Sequence, residues 1–459
     1  MPLADLSGIQ QGDALRINWP RADAIVGNPP FHGDRHLRGL FGDEYVGWLQ
    51  QEFGVGIKDY CVYWFRKAHE NLAPDCRAGL VGTNSVSQNR ARSASLQYIL
   101  DEGGIITDAV SSQDWPGEAS VDVSIVNWVK EPTNPQVGRH LDGQDLDEPI
   151  SASLRPLSLA VDTAAELPAN RGYAYYGPIP GGRGFILDEE EAVSLLSRHD
   201  DTWRQVVRPY LTGDDILSRP EHDPSRWIID FGFMSLEEAM RFEEALQIVR
   251  ERVKPQRDRT RRESYRRNWW RFSEPIRDMR TRLADLERYI AAPAQGKRIL
   301  FVWADAGTCP SNLTTVFALD DDFSMGVLSS RAHRAWLLAQ SSTLEDRTRY
   351  TTSSVFTTFP WPGRTEGNSS VNAAMSDLVR RRDDLCTEHS IGLTQLYNLV
   401  DDGGFADVAG LHRRLDDAVC DAYGWPRGLS DDDWNARLLD LNHRIAAGDV
   451  EYRGPRGDG

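Results

Sequence analysis

Four consecutive residues constrain this chain more than any others. Asn28, Pro29, Pro30 and Phe31 follow the apolar run Ala24–Val26 and Gly27 directly, which places a rigid turn at the carboxyl end of a predicted strand. Proline fixes its own φ, restricts the residue before it and lacks an N–H. The turn therefore offers two fixed acceptors, the Asn28 side-chain oxygen and the Pro29 carbonyl. Two acceptors suit the two hydrogens of an amino group. An amine conjugated to an aromatic ring is a poor nucleophile, and accepting both hydrogens draws its lone pair out of conjugation, ready to attack a methyl sulfonium. Phe31 would stack on a base that has left its duplex to reach an internal site. The plainer alternative is an ordinary proline turn, against which stand its position after an apolar strand and the neighbours below.

From Ala24 to Lys130 apolar runs alternate with amphipathic stretches: AIVG, a helical pattern through DYCVYWFRKAHENL, AGLVGT, a polar helix near Ser93–Leu100, IITDAVSS and VDVSIVNWVK. This order predicts a doubly wound α/β sheet, ending in two strands that pair as an antiparallel hairpin. Ligands of such sheets bind at the carboxyl ends of the strands. Residues 131–170, rich in Pro, Asp, Gly and Ser, read as a connection out of the sheet, with a boundary near 165. Residues 166–365 mix β-like runs (RWIIDFGF, RILFVWADAG, TTVFALDDDFSMGVLSS) with the helical MSLEEAMRFEEALQIVRERV and predict an α+β domain. Residues 366–459 read as a small helical C-terminal domain, with Leu411, Leu415, Val419 and Ala422 on one helix face.

No segment approaches the roughly 20 apolar residues that span a bilayer, and the N-terminus lacks a signal-peptide pattern. A cytoplasmic protein with no membrane partner is expected. The five cysteines form no CxxC pair, so neither a disulfide framework nor a metal site is expected. A net charge of -17 argues against a protein that coats nucleic acid. Arginines nevertheless concentrate between Arg250 and Arg288, interleaved with aromatics. Arg257, Arg259, Arg261, Arg262, Arg266, Arg267 and Arg271 are candidates for phosphate contacts, a few of them for guanine edges. A solvated helix face balanced by neighbouring acids is the alternative for a share of them. Trp269 and Trp270 read as core.

The segment GDALRINWPRADAIVGNPPFHG, beginning at Gly12, resembles motifs III and IV of the gamma-class amino-methyltransferases. The resemblance implies that Asp13 accepts a hydrogen bond from the adenine amine of S-adenosylmethionine, although alone it would pass for a solvated turn residue. IKDYCVYWFRKAHENLAP resembles motif V, which implies a helix lining the cofactor pocket and a cofactor role for Asp59; AGLVGTNSVSQ resembles motif VI. Trp115 and Pro116 fall where motif VIII has an aromatic-Pro pair, so Trp115 would cover the other face of the flipped base, or else plug a hairpin loop. GPIPGGRGFILDEEEA, VRPYLTGDDILSRP, IVRERVKPQRDR, YRRNWWRFSEP and TTSSVFTTFPWP look like successive landmarks of the MmeI-type (type IIL) target-recognition domain, and LHRRLDDAVCDAYGWP is similar to the family's closing helix.

The resemblance implies an adenine-specific DNA methyltransferase of a restriction-modification system, with S-adenosylmethionine as cofactor and double-stranded DNA as partner. The family's Gly-rich cofactor loop, N-terminal nuclease and helical linker have no counterpart before Asp13. GIQQG at Gly8–Gly12 lacks the pattern, and GPIPGGRG at Gly177 reads as a turn. Residues 1–165 are therefore expected to form an incomplete class I methyltransferase sheet. It would work with an upstream-encoded polypeptide carrying that loop and the nuclease. A truncated remnant acting only as a DNA-recognition module, a misplaced start codon, and methylation of RNA or a protein glutamine are the alternatives.

Overall fold

The apolar run before the Asn-Pro-Pro-Phe turn forms strand β1 (Ala22–Gly27) in a computed structural model that describes residues 9–115, 121–340, 343–344, 347–364 and 369–457. After the turn come helices α1 (Asp34–Phe53) and α2 (Val62–Asn71), then β2 (Leu72–Thr83), β3 (Gly104–Asp114) and β4 (Asp122–Lys130). The sheet runs β1-β2-β4-β3 and continues through β5 (Arg139–Leu141) and β6 (Gln144–Leu146). β1 and β2 are parallel, with Gly27 opposite Leu80, and β3 and β4 form the expected antiparallel hairpin.

α2 carries Val62, Phe65, Ala68 and His69 on its buried face, the spacing of an amphipathic helix. Phe65 stacks on Trp128 of β4 at a centroid distance of 5.8 Å. Burying one such ring is worth roughly 1.5–3 kcal/mol. A Cβ at Gly82 would lie 2.9 Å from the Phe65 ring, so the close approach of β2 to α2 needs glycine there. α1 escaped the sequence pattern. Gly39, Gly42 and Gly47 interrupt its periodicity, and Gly42, at φ 79°, kinks it.

Residues 131–170 do not simply leave the sheet, as their composition suggested. β5 pairs parallel with β3, and β6 returns beside β5. The two-residue link Asp142-Gly143 has φ of 51° and 79°, the geometry of a tight hairpin turn that Asp-Gly favours. The Asp142 carboxylate also accepts from the Ser111 N–H and hydroxyl at 2.7 and 2.8 Å, which ties the hairpin to β3.

The chain divides into two compact units, Met1–Asp162 and Thr163–Gly459. The second contains two four-stranded sheets and a small three-stranded one among the described residues. In the first of these, Val207–Leu211 pairs with Arg226–Ile229, and helices Glu189–Ser197 and Glu243–Arg252 contribute to the core around it, with Trp269 and Trp270 buried as expected. In the second, Arg288–Pro293 lies between Val302–Asp305 and Thr314–Phe317. The run TTVFALDDDFSMGVLSS is strand only to Phe317. Asp321 accepts from the Ser324 N–H at 2.9 Å and starts a helix, Asp322–Ser329, whose residues Phe323–Leu328 are all buried. A helix without a polar face reads like a buried strand. Helices Ser369–His389, Leu393–Asp401, Ala406–Tyr423 and Asp431–Ala447 follow within the same unit. On the third of these Leu415 and Val419 are buried, with Leu411 and Ala422 half-buried beside them.

Candidate active site and the arginine-rich segment

The turn Asn28–Phe31 stands at the carboxyl end of β1, with Asn28 and Pro30 exposed, Pro29 buried and Phe31 half-buried. Its continuation is pinned from α2's side. The Tyr60 N–H donates to the His32 carbonyl at 2.8 Å, and Asp59 Oδ1 accepts from the Asp34 N–H at 3.1 Å. The other Asp59 oxygen accepts from the Thr83 hydroxyl at 3.3 Å, at the carboxyl end of β2. Asp59 is therefore a brace between the two strand ends, both oxygens engaged within the protein. That is a different task from the cofactor contact implied by the resemblance.

Asn84, next after β2, donates to Ser112 Oγ at 2.8 Å and accepts from Ser124 Oγ at 3.2 Å, which fastens this corner to the β3–β4 hairpin. Trp115 sits at the hairpin's end, its N–H donating to the Val121 carbonyl at 3.0 Å. Phe31 and Trp115 are brought together: their rings meet edge to face, 5.7 Å between centroids and 87° between planes. Two rings that sandwich a base lie parallel, so this pair must part to admit one. Beside Trp115, Asp114 pushes the Asp122 carboxyl upward by sharing a hydrogen bond. Pro116 and Gly8 lie outside the described residues.

Asp13 caps its own turn, its Oδ1 accepting from the Leu15 N–H at 2.9 Å and its Oδ2 lying 3.8 Å from Arg16. The structure connects it to the Asn28 turn through residues that the sequence alone did not single out. The Tyr45 hydroxyl meets the Tyr60 hydroxyl at 2.8 Å. Burial, with Asp13 and Tyr60 beside it, holds the Tyr45 phenol far above its ordinary range. Arg16 lies over the Tyr45 and Trp48 rings, at 4.8 and 4.7 Å. Lys67 of α2 donates to the Leu15 and Ile17 carbonyls at 2.5 and 2.8 Å, and burial lowers its pKa. The one signal for Lys67 was its place four residues after the buried Tyr63, on the same helix face. Tyr45 had none, because it lies on α1.

A sequence profile described as "MmeI, DNA-methyltransferase domain" matches residues 1–137, and one described as "MmeI, target recognition domain" matches residues 168–363. The chain belongs to the MmeI family. Its fold is similar to that of the type IIL restriction-modification enzyme MmeI solved in complex with DNA, with a TM-score of 0.73 and 21% identity over 97% of this chain and 61% of that one. "DNA methyltransferase A" of Bacillus subtilis (strain 168) is 21% identical over 467 residues, 96% of this chain and 51% of the relative. The chain spans about half the length of that curated relative.

Within the MmeI target recognition domain the seven candidate arginines separate. Arg257 is 2% exposed. It donates to the Pro180 carbonyl at 2.6 Å and to Ser273 Oγ at 2.8 Å, holding the GPIPGG turn from inside. A guanidinium so enclosed cannot reach a phosphate, and Arg257 is corrected from DNA contact to anchor. Arg271 donates to the Met234 carbonyl at 2.8 Å and lies over Trp270. Arg262 is exposed but bonded to Tyr265 at 2.7 Å, and Arg266 to the Thr260 carbonyl at 2.6 Å. Arg259, Arg261 and Arg267 are exposed, with no side-chain partner among the described residues.

Proposed function

We propose that this chain transfers a methyl group from S-adenosylmethionine to the exocyclic amine of adenine within a specific DNA sequence, as part of a restriction-modification system of the cytoplasm. What carries the reading is the exposed Asn28 at a strand's carboxyl end, with the Phe31 and Trp115 rings side by side. Asn28 Oδ1 and the Pro29 carbonyl accept the two amine hydrogens, and the nitrogen lone pair is freed along the normal of the base. Pro30 keeps the turn rigid. Phe31 and Trp115, once parted, take the two faces of the flipped adenine. S-adenosylmethionine, when bound, supplies an electrophilic methyl group.

The residues fit that cofactor in part. Asp13 is half-buried, and its carboxylate is shared with the Tyr45 hydroxyl and with Arg16, 3.8 Å from Oδ2. That oxygen is suited to accept from an adenine amine. Asp59 supports the site from behind. A segment or polypeptide carrying the Gly-rich loop completes the pocket in this reading. It is supported by the outer edge of β1, which pairs with no strand among the described residues, and by Val26, 88% exposed on that strand. Residues 1–165 then act as the catalytic part, 166–365 read DNA through Arg259, Arg261 and Arg267, with Arg262 and Arg266 beside them, and 366–459 close the second unit.

The second reading is a DNA-recognition module whose catalytic turn is idle, and the closed Phe31–Trp115 contact favours it. Single-turnover transfer of labelled methyl groups to a target duplex separates the two, with the chain assayed alone and together with a polypeptide carrying the Gly-rich loop. The enzyme reading expects transfer that Asn28→Ala slows by about 10²-fold or more while duplex binding persists. Near-normal transfer by Asn28→Ala, or no transfer in any combination, sinks it.

A further inference from the structure

Within the second unit a cavity of about 380 Å³ opens between the segment leading into strand Val302–Asp305 and the helices Arg331–Gln340, Ser369–His389, Leu393–Asp401 and Ala406–Tyr423. That volume is at the small end of pockets that hold organic ligands. Much of its wall is apolar: Leu337, Leu338, Met375, Leu378 and Val400 line it. The polar groups on the wall are unevenly matched. Arg298 pairs with Asp401, Arg331 with Asp431 at 2.6 Å, and Arg382 with Asp383 and the Phe301 carbonyl. Arg334 has no side-chain hydrogen bond or ion pair among the described residues.

The groups around Arg334 do not neutralise it. His412, which shares a hydrogen bond of 2.8 Å with the Tyr397 hydroxyl, is pushed by burial down to about 4 and is an uncharged imidazole at neutral pH. The Asp416 carboxylate accepts the backbone Arg331 N–H at 2.7 Å and offsets part of the positive charge of Arg331 and Arg334. Arg334 and Lys297, neither with a side-chain hydrogen bond or ion pair among the described residues, therefore bring more positive charge to the wall than Asp416 offsets. Such a wall suits a charge of opposite sign attached to an apolar body, because the guanidinium gains a partner while apolar surface leaves water.

We infer that this cavity is a binding site for a small organic anion, a carboxylate or monophosphate whose charge rests on Arg334 and whose body lies against Leu337, Leu338, Met375 and Leu378. The inference is independent of the methyl-transfer reading, since no residue of the Asn28 site takes part. Calorimetric titration and thermal unfolding of the full chain test it, with octanoate, adenosine 5′-monophosphate and inorganic phosphate as probes. The expected result is saturable binding of octanoate or the nucleotide, which tells the carboxylate from the monophosphate, with inorganic phosphate at least tenfold weaker. Arg334→Gln, at an exposed position, should keep the unliganded Tm and weaken binding tenfold or more. A bulkier Leu338→Trp, also at an exposed position, should obstruct the body's place and weaken the organic probe alone. No binding of either organic probe at millimolar concentration overturns the inference. So does equal binding by Arg334→Gln, or inorganic phosphate that binds as well as the organic probes.

Discussion

On β1 and its turn, Asn28 and Pro30 are exposed and Val26 is 88% exposed, with strand pairing on one side alone among the described residues. In the arginine-rich segment of the second unit the reverse holds: four of the seven candidate cations have found partners inside the protein, and Arg257 is sealed within it. The functional candidate in the first unit is a group the fold leaves free. In the second, residue type alone misled, because a guanidinium serves equally well as an internal fork for carbonyls and as an external phosphate ligand. Exposure without a partner marks the groups open to a ligand.

The contrast is broken most directly at Asn28. In the assay of the proposed methyl transfer Asn28→Ala should slow single-turnover transfer by about 10²–10³-fold or more, by analogy with loss of one preorganised hydrogen-bonding group, and leave duplex affinity nearly unchanged. Phe31→Ala and Trp115→Ala should keep partial activity, since each loosens the base without removing an acceptor. A change confined to affinity would make Asn28 a binding residue and no more.

Next in size is Arg257. Arg257→Met takes the donor from Ser273 Oγ and leaves the Pro180 carbonyl with the longer 3.3 Å bond from the Ser273 N–H, so stability should fall by about 3 kcal/mol, visible as a lower Tm. If the variant keeps its Tm and loses DNA instead, the anchor role fails and the sequence-based reading returns.

Asp416 gives a smaller effect with a defined pH dependence. Burial raises its carboxyl from 3.8 to about 6. A carboxyl that holds its proton more tightly when folded carries no penalty below about pH 4 and its full penalty above about pH 6. Asp416→Asn keeps an acceptor for the Arg331 N–H and removes that penalty. It should stabilise the chain by about 1–3 kcal/mol at pH 7.5, and the gain should vanish by pH 4. A pH-independent difference between the two proteins would show that the Asp416 carboxyl holds its proton equally well folded and unfolded.

The smallest effect belongs to the three unpartnered arginines. Replacing Arg259, Arg261 or Arg267 with Gln should each weaken DNA binding several-fold and lower the salt slope by about 1, measured by filter binding over a salt series. Arg271→Gln should leave the slope alone. Equal slopes for all four would place the DNA surface elsewhere.

The candidate site was partly legible because its signals are local. The Asn-Pro-Pro-Phe turn, the strands on either side of it and the β3–β4 hairpin are patterns among near neighbours in the chain. Asp142-Gly143 was equally local, a turn dipeptide between two short strands, but strands of three residues hold too few positions to show alternation. α1 was hidden by its glycines, and with it Tyr45. The burial of helix Asp322–Ser329 on all sides removed the polar face that distinguishes a helix from a strand.

The amino-acid sequence by itself determined the chemistry on offer at the turn and the order of elements that identifies the family, since both depend on backbone geometry and periodicity within a few residues. Tertiary structure alone decided that Asp59 braces two strand ends, that Lys67 holds the turn after Asp13 and Tyr45 meets its carboxylate, and that Arg257 faces inward while Arg259, Arg261 and Arg267 find no side-chain partner among the described residues. Burial and the choice of partner depend on residues far apart in the chain, such as Pro180 for Arg257 and Leu15 for Lys67. No window on the sequence contains both halves of such a contact.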